Sequence, residues 1–393
     1  MNMSVSHIEA SDLDADTLAE LASVASRFAQ PNVSRVRTLR ESGQSFDREV
    51  WTRFAELGWL GLLVPETLGG AGAGESAVAV VAEKLGAGAY PEPYAASSVV
   101  VSHLLSGLAL AGCGNAQALL ESVLDGTQLL SVAVPADGGP TVRNGRVRGR
   151  RDGAITVFDG VANWVPVAEA DTFLVYAEAE AGPVLASLPR TADGMVLESS
   201  TLSDHTTVAT IELSGVTVPT ADLIGIGCDV DAALAEATDV ALIATAAELI
   251  GVADRALTLA LEFITSRSQF GKPIGSFQVL QHRAVDMYIQ LRLARAALRS
   301  ALSERTKSTT TVQRRRAAAS SARARSCIAA TTICRQAVQL HGAIGFTDEY
   351  DLGYYVNRMV ALTAWLGGPD VHRQRYFDLL GGRPGNSRNG GSR

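Results

Sequence analysis

The chain has 393 residues, of which 47% are hydrophobic and 19% are charged, and its formal net charge is −7 at pH 7. This length and composition predict a well-packed, partly helical protein of two or three domains. The negative charge argues against nucleic-acid binding, because phosphate recognition needs a basic surface. The short basic run at 314–316 is more simply explained as a solvated turn of a helix. No apolar run of about 18 residues is free of charge, so no membrane-spanning segment is expected.

The four cysteines show no CxxC spacing, and no metal site is expected. Cys327 and Cys334 would lie about 10 Å apart on one helix, which is too far for a disulfide. We therefore expect Cys113, Cys228, Cys327 and Cys334 to be reduced thiols in a cytoplasmic protein. Residues 1–13 are polar and acidic, so no signal peptide is expected.

The first predicted domain, residues 1–125, has a helical pattern. Val50, Phe54 and Leu57 recur every three to four residues, which predicts an amphipathic helix. The glycine-rich stretch 69–72 predicts a flexible loop, and two prolines break the chain after the next helix. We expect a helical N-terminal domain.

The second predicted domain, residues 126–230, changes to short β runs separated by turns. Asn144-Gly145 and Asp152-Gly153 are typical of hairpin turns. The predicted strands are Leu129–Val134, Ile155–Phe158, Thr172–Ala177, Pro183–Leu188 and Thr207–Leu213. This pattern predicts a small antiparallel β domain.

The third predicted domain, residues 231–383, is helical again. Long helices are predicted over Val240–Ser266, Phe277–Leu291 and Ala317–Val338, and a last helix begins at Ala361–Trp365. Long helices joined by short loops indicate a four-helix bundle. The Gly-, Ser-, Arg- and Asn-rich tail 384–393 is expected to be disordered. The predicted fold class is therefore α+β, with the blocks in the order α, β, α.

Three motifs stand out along the chain: Leu57-Gly58-Trp59 with Pro65-Glu66, Arg267-Ser-Gln-Phe270-Gly271 with Gln278, and Gln339-Leu-His-Gly342 with Phe346. In these motifs, and in their order and spacing, the chain resembles the acyl-CoA dehydrogenases. The first is weak alone, whereas the other two are specific, and the block order agrees with the family. The resemblance implies an FAD-dependent oxidoreductase that acts on an acyl-CoA thioester and forms an oligomer.

The residue types in these motifs suit an FAD site. Arg267 can make a charge-assisted contact to a phosphate, and Phe270 offers an aromatic face. Gln278 and Gln339 supply amide donors, and Gly342 lets the backbone approach a ligand closely. Singly, each residue is equally well explained as a helix cap, a core aromatic or a C-terminal glycine cap. Their joint occurrence in the family's order favours the FAD site.

The family's catalytic base is missing at its usual position. In the family a glutamate, nine residues after an arginine that corresponds to Arg358, removes the α-proton while the β-hydrogen leaves as hydride to the flavin. Here that position is Gly367, which has no proton acceptor. The threonine and glutamine that follow in the family, as flavin contacts, are Pro369 and Val371.

Replacement bases are few. The family's alternative base position, on the helix that opens the bundle, falls at about Ala241 or Leu242, which carry no carboxylate. Asp370 is three residues beyond Gly367 and is the nearest substitute by helical spacing. Glu248 lies about 10 Å further along the opening helix. A surface or capping role is the simpler expectation for both carboxylates.

Flavin contacts in the β block are also altered. The family's Trp-Ile-Thr segment reads Trp164-Val165-Pro166, which keeps the aromatic side chain and loses the hydroxyl donor. The strand end that is rich in hydroxyl side chains in the family corresponds here to residues 134–139, which include no hydroxyl side chain. In the family, the elements that correspond to Arg267, Phe270, Gln278, Gln339 and Gly342 contact a neighbouring subunit's flavin, and this chain keeps them. The Trp-Ile-Thr segment and the run that begins with the glutamate act on the subunit's own flavin, and both are altered here.

This division suggests the subunit without its own glutamate in a heteromeric acyl-CoA dehydrogenase, as known among actinobacterial enzymes for bulky steroid-derived thioesters. Two alternatives stay open. One is a self-sufficient flavoenzyme of the same fold with other chemistry, such as a desulfinase or a monooxygenase. The other is a non-catalytic homologue that binds acyl-CoA or a partner. In each case the partner would be acyl-CoA or a homo- or hetero-oligomer with a paralogue.

Overall fold

The computed structural model describes residues 13–133, 146–180, 182–347 and 350–381. In these ranges six N-terminal helices precede a seven-stranded sheet, and five further helices follow it. None of the helices so described is long and apolar enough to cross a membrane. The N-terminal helices are α1 Ala15–Phe28, α2 Val33–Glu41, α3 Arg48–Glu56, α4 Gly74–Ala87, α5 Val101–Leu110 and α6 Ala116–Leu124, and a π-helical segment, Tyr94–Val100, leads directly into α5.

An aromatic cluster forms the centre of the N-terminal core. The ring centroid of Phe54 lies 5.3 Å from that of Trp59 and 6.1 Å from that of Tyr94, and Phe28 lies 5.1 Å from Trp59. Phe54 is fully buried, as its helical spacing predicted, whereas Leu57 lies just beyond the end of α3 and is 41% exposed. The cluster attaches Tyr94, and with it the π-helical segment, to the core.

The sheet mixes antiparallel and parallel strands. Its strands are β1 Leu130–Ala133, β2 Val147–Asp152, β3 Ile155–Pro166, β4 Thr172–Ala179, β5 Gly182–Pro189, β6 Met195–Thr201 and β7 Thr207–Pro219. Four pairings, β2–β3, β3–β7, β6–β7 and β4–β5, are antiparallel as expected. The antiparallel expectation is wrong for β4, which runs parallel to β1 and β2. The chain builds β2 and β3 before it returns and inserts β4 between β1 and β2.

One of the two predicted hairpin turns can be checked. Asp152 pairs with Ile155 across a two-residue turn, and Gly153 in that turn has φ +63°. This confirms the hairpin, but the two turn residues are Gly153 and Ala154, one position later than the predicted Asp152-Gly153 pair. Glycine suits the first turn position because it adopts positive φ readily. The predicted turn at Asn144-Gly145, the altered segment 134–139 and the tail 384–393 lie outside the described residues.

Three long helices and two shorter ones form the C-terminal domain. They are α7 Val230–Ser266, α8 Gln278–Thr306, α9 Val312–His341, α10 Leu352–Ala364 and α11 Pro369–Gly381, with a small hairpin, β8 Ser268–Gln269 and β9 Lys272–Pro273, between α7 and α8. The helical C-terminal domain is confirmed, although the described helices number five rather than four. The segment 361–365 ends α10 instead of beginning the last helix. That helix, α11, begins at Pro369, and proline favours the first position of a helix.

Helices α4 and α7 cross with their backbones in contact. A Cβ added to Gly86 would clash with the carbonyl oxygen of Glu248, and one added to Gly251 would clash with the carbonyl oxygen of Glu83. Only glycine leaves room for so close an approach. The crossing therefore fixes the position of Glu248 relative to the N-terminal helices.

A disulfide joins Cys113, in the turn between α5 and α6, to Cys228, just before α7. Their Cα atoms are 6.5 Å apart, within the range of disulfide geometry. The expectation of four reduced thiols is thus wrong for this pair, whereas Cys327 and Cys334 are free and buried. Because 115 residues separate the paired cysteines, only the fold brings them together.

Candidate functional site

A cavity lies between the sheet, the π-helical segment and the helices α7 and α10. Its empty volume is about 650 Å³, including the open mouth. The sheet side contributes Trp164, Pro166, Val167 and Thr207, and the helical side contributes Tyr94, Ala95, Glu248, Arg358, Leu362 and Trp365. A mostly apolar cavity with a few convergent polar groups is typical of a small-molecule site.

Trp164 enters the cavity from an irregularity in β3. The pairing of β3 with β7 shifts register between Ala162 and Val165, and Trp164 has φ +56°. Irregular pairing of this kind redirects a side chain, often next to a site. The indole is 38% exposed and lines the cavity. It offers an aromatic face to a planar ligand.

A buried ion cluster forms the polar part of the cavity wall. Arg358 donates from Nε, at 2.8 Å, and from Nη2, at 2.5 Å, to Oε1 of Glu248. Its Nη1 donates to Oδ2 of Asp204 at 2.8 Å. The side chains of Arg358, Glu248 and Asp204 are only 12%, 6% and 5% exposed. Buried charges of this kind are tolerated because they are paired and hydrogen-bonded.

Burial and pairing act in opposite directions on these groups. Burial raises the pKa of Glu248 above its ordinary value, although Arg358 opposes the shift. For Arg358, burial disfavours the charged form, but Glu248 and Asp204 outweigh it and raise the pKa. The guanidinium of Arg358 therefore stays charged.

The turn that contains Gly367 is held from two sides. Leu366 and Gly367 have φ +61° and +92°, both in the left-handed region. Buried Arg323 donates from Nη2 to the carbonyl oxygens of Leu362 and, at 2.7 Å, of Trp365. These carbonyls at the end of α10 would otherwise lack partners. The structure thus places a well-anchored turn, without a proton acceptor on Gly367, beside the cavity wall formed by Trp365.

The two candidate replacement bases lie in different surroundings. The Asp370 side chain is 90% exposed, pairs with Arg373 at 3.0 Å and does not line the cavity. Glu248 is buried and lines the cavity, so the expectation of a surface or capping role is wrong for it. Helical spacing ranked these candidates in the opposite order, because it does not show which helix face the rest of the chain covers.

The five residues expected to contact FAD through the bundle lie at one end of it. Arg267 ends α7, Gln278 begins α8, and Phe270 lies in the hairpin between them; Gln339 and Gly342 lie at the end of α9. Two contacts bring these helix ends together. The rings of Phe263 and His341 stack with centroids 4.4 Å apart, and Arg283 donates to Gln336 at 2.9 Å.

This end of the bundle presents its functional groups to the outside. Arg267, Gln278, Gln339 and Gly342 are exposed, and the Phe270 ring is 90% exposed, with φ +53°. A Cβ added to Gly342 would meet nothing within 4 Å, so the space above it is open. A guanidinium, two amides and an uncovered aromatic ring fit an anionic ligand with an aromatic part, as FAD is. Trp164 is not part of this surface and belongs to the cavity.

Comparison with known proteins adds independent evidence. Residues 15–118 match the N-terminal domain of acyl-CoA dehydrogenases, and residues 232–377 match the C-terminal domain of acyl-CoA dehydrogenases. The acyl-CoA dehydrogenase IpdE2 of Mycobacterium tuberculosis is 30% identical over 339 residues, which are 86% of this chain and 88% of the relative. The chain belongs to the acyl-CoA dehydrogenase family. The acyl-CoA dehydrogenase FadE27 of the same organism is 30% identical over 358 residues, 88% of this chain and 92% of the relative.

Solved structures of acyl-CoA dehydrogenases have the same fold. A variant of the Tcur3481-Tcur3483 steroid acyl-CoA dehydrogenase has a TM-score of 0.77 and 28% identity, covering 93% of this chain and 98% of its own. Butyryl-CoA dehydrogenase from Megasphaera elsdenii has a TM-score of 0.83 at 19% identity, covering 94% of this chain and all of its own. At that identity the second likeness concerns the fold alone.

Within this acyl-CoA dehydrogenase fold, sequence reasoning missed part of the cavity wall. Tyr94 and Trp365 line the cavity, but neither belongs to a motif that marks them as functional. Asp204 follows β6 in a loop that its own side chain stabilises by accepting from Thr206 N at 3.1 Å and Oγ1 at 2.7 Å. An isolated aspartate in a polar loop carries no sequence signal for pairing with an arginine 154 positions away.

Proposed function

We propose that this chain is one subunit of a heteromeric acyl-CoA dehydrogenase, in which a paralogous subunit supplies the glutamate that Gly367 replaces. One observation carries the proposal. The chain exposes Phe270 and its polar neighbours as a surface that a second subunit's cofactor would cover, while the turn at Gly367 offers no proton acceptor.

The relatives support a two-protein assembly and suggest a substrate class. The solved dehydrogenase at 28% identity has a name that joins two proteins and describes a steroid enzyme. We therefore favour a coenzyme A thioester with a bulky, ring-containing acyl group. The small side chains of Ala95 and Ala96 on the cavity wall agree with such a group.

The chain's residues have separate tasks in this proposal. FAD, the cofactor of the family, would supply the hydride acceptor for the β-hydrogen while a base takes the α-proton. Arg267 would bind the pyrophosphate of the neighbouring subunit's cofactor, and Phe270 would cover an apolar part of it. Trp164 would pack against the flavin bound by this chain. The apolar wall that includes Val167 and Leu362 would exclude water from the acyl group.

A second candidate function rests on Glu248. This carboxylate lines the cavity, and burial raises its pKa, as a general base near neutral pH requires. If Glu248 takes the α-proton, the chain is a self-sufficient dehydrogenase and needs no glutamate from a partner. Arg358 donates two hydrogen bonds to one oxygen of Glu248. This pairing makes Glu248 the less favoured candidate.

The decisive experiment compares the chain purified alone with the chain co-expressed with a paralogue that carries glutamate at the position of Gly367. We expect the lone chain to retain little flavin. When FAD is added to it, acyl-CoA should not reduce the flavin under anaerobic conditions. The co-purified complex should be yellow and should bleach. Replacing the paralogue's glutamate by glutamine should abolish bleaching without releasing flavin.

Three results would point elsewhere. A yellow lone chain that acyl-CoA bleaches contradicts the heteromer, and loss of that bleaching in Glu248→Gln would establish the second candidate. A yellow lone chain that only an external reductant reduces, and that then consumes oxygen with substrate, indicates a monooxygenase. A chain that binds acyl-CoA in every combination without turnover indicates a binding protein.

A further inference from the structure

One carboxylate oxygen in the cavity wall is left without a donor. Arg358 directs both its Nε and its Nη2 to the same oxygen of Glu248, Oε1. The other oxygen, Oε2, accepts no hydrogen bond from the residues that the structure describes. Glu248 is 5% exposed and lines the cavity. An acceptor oxygen without a donor in so apolar an environment favours a ligand that brings one.

The other charged groups of the cavity wall are either paired or partly open to solvent. One oxygen of Glu169 accepts from the hydroxyl of Thr207, and because Glu169 is only half-buried, water can reach its other oxygen. All three nitrogens of the Arg358 guanidinium donate to carboxylates, two to Glu248 and one to Asp204. Asp204 is reached from a second, smaller cavity on the far side of Arg358. Glu248 is therefore the charged group through which this cavity can best distinguish ligands by a polar contact.

The donor that suits Glu248 is neutral. An ammonium group would have to enter a buried site beside the Arg358 guanidinium, where like charges repel and desolvation is costly. A hydroxyl on an otherwise apolar group meets neither obstacle. A ketone in the same place would direct a lone pair at the carboxylate, which is unfavourable.

We propose that the cavity selects acyl groups that carry a hydroxyl, and that this hydroxyl donates to Oε2 of Glu248. The inference rests on the proposed function, since it assumes that the acyl group of a coenzyme A thioester occupies this cavity. It goes further by naming the substrate class and the residue that recognises it. Glu248 acts here as a specificity residue, held in orientation by Arg358.

The test uses matched thioesters and measures binding. Octanoyl-CoA and its hydroxy and oxo derivatives, substituted in pairs at carbons 4 to 8, are titrated in the presence of excess FAD into the full chain, alone and with the paralogue. In at least one pair the hydroxy compound should bind about tenfold or more tightly than the oxo compound, because a hydroxyl can donate to Oε2 and an oxo group cannot.

Glu248→Gln converts the free oxygen to an amide donor of the same size and leaves an oxygen for Arg358. It should reduce the hydroxy-to-oxo preference at least tenfold or reverse it, which a purely structural role of Glu248 would not do. Glu169→Gln is the matched control in the same cavity, and it should leave the preference unchanged because Glu169 is only half-buried and already accepts from the Thr207 hydroxyl.

The outcomes separate the two proposals. If the thioesters bind but no hydroxy–oxo pair differs in the wild type, or if Glu248→Gln leaves the preference intact, hydroxyl recognition by Glu248 is refuted while the proposed function stands. If no thioester binds the wild-type chain, either alone or with the paralogue, the proposed function and hydroxyl recognition both fail. Should Glu248→Gln not fold, the wild-type series still decides. Unchanged affinities with complete loss of flavin reduction in Glu248→Gln would refute hydroxyl recognition and make Glu248 the base.

Discussion

Nε2 of His372 lies 2.9 Å from the carbonyl oxygen of Leu366. Through this contact the first turn of α11 closes the turn that contains Gly367. The ring is 2% exposed, and burial together with the nearby Arg323 lowers its pKa to about 4. A neutral ring with its proton on Nε2 can donate to Leu366, so the folded protein keeps this histidine uncharged at neutral pH.

This contact predicts a specific loss of stability in acid. In the unfolded chain the histidine is protonated below about pH 6.5, whereas in the folded chain it stays neutral down to about pH 4. The unfolded state therefore binds more protons between these values, and His372 destabilises the fold as the pH drops through this window. At pH 5 the loss amounts to about 2 kcal/mol. His372→Gln, which keeps an amide donor, should show a smaller fall in Tm between pH 7 and pH 5 than the wild type. An equal fall in both would contradict the assignment.

Breaking the buried ion cluster should be costly. Arg358→Met leaves Glu248 and Asp204 buried without their cation, and removal of one partner from a buried pair costs about 3–5 kcal/mol. We expect a large drop in the unfolding free energy, measured by denaturant titration. Arg373→Met is the matched control, because the Arg373–Asp370 pair is exposed at the surface and such pairs contribute about 0–1 kcal/mol. Similar losses in the two variants would show that the cluster is not buried as described.

Asp370 should be dispensable for dehydrogenation. Its side chain is 90% exposed and paired with Arg373 outside the cavity. We expect Asp370→Asn to change the rate of anaerobic flavin reduction by acyl-CoA less than twofold in whichever preparation is active. A loss of a hundredfold or more, the scale of a missing general base, would instead make Asp370 the proton acceptor.

Phe270 should matter for cofactor retention rather than for folding. Since its ring is 90% exposed, Phe270→Ala should leave the Tm of the isolated chain within about a degree, as expected of surface substitutions. In the assembled protein it should lower the flavin content severalfold after gel filtration. Phe377→Ala, at a 51% exposed aromatic residue of α11, serves as the control and should not affect flavin. Equal flavin loss in both variants would mean a general effect on assembly.

Thiol counting tests the disulfide. Unfolded without reductant, the protein should show two titratable thiols, from Cys327 and Cys334, and four after reduction. In the folded protein these two should react slowly, since both are buried and burial raises the pKa of Cys334 to about 12. Cys228→Ser should lower Tm by several degrees, because a disulfide that closes so long a loop restricts the unfolded chain. Four thiols without reductant would contradict the bond.

Much of the fold was predictable because it follows from local patterns. The helical stripes and the hairpin turn at Gly153 depend on residues close in sequence. The parallel placement of β4 was not predictable in this way, since it depends on the order in which strands join the sheet. The cavity shows the same division. Gly367 and Arg358 were located by motif. Glu248 was a candidate by sequence, but its place in the cavity wall depends on which face of α7 the other elements leave open.

The close contact of α4 and α7 at Gly86 and Gly251 limits how the cavity can adapt. No side chain lies between the two backbones at that crossing, so none can be shortened there to let the helices separate or slide. Glu248 is carried on this rigid side. A larger or differently shaped acyl group must therefore be accommodated on the opposite side, where the 38% exposed Trp164 of the sheet lines the cavity. Substitutions that change the substrate range are therefore best placed on the β domain.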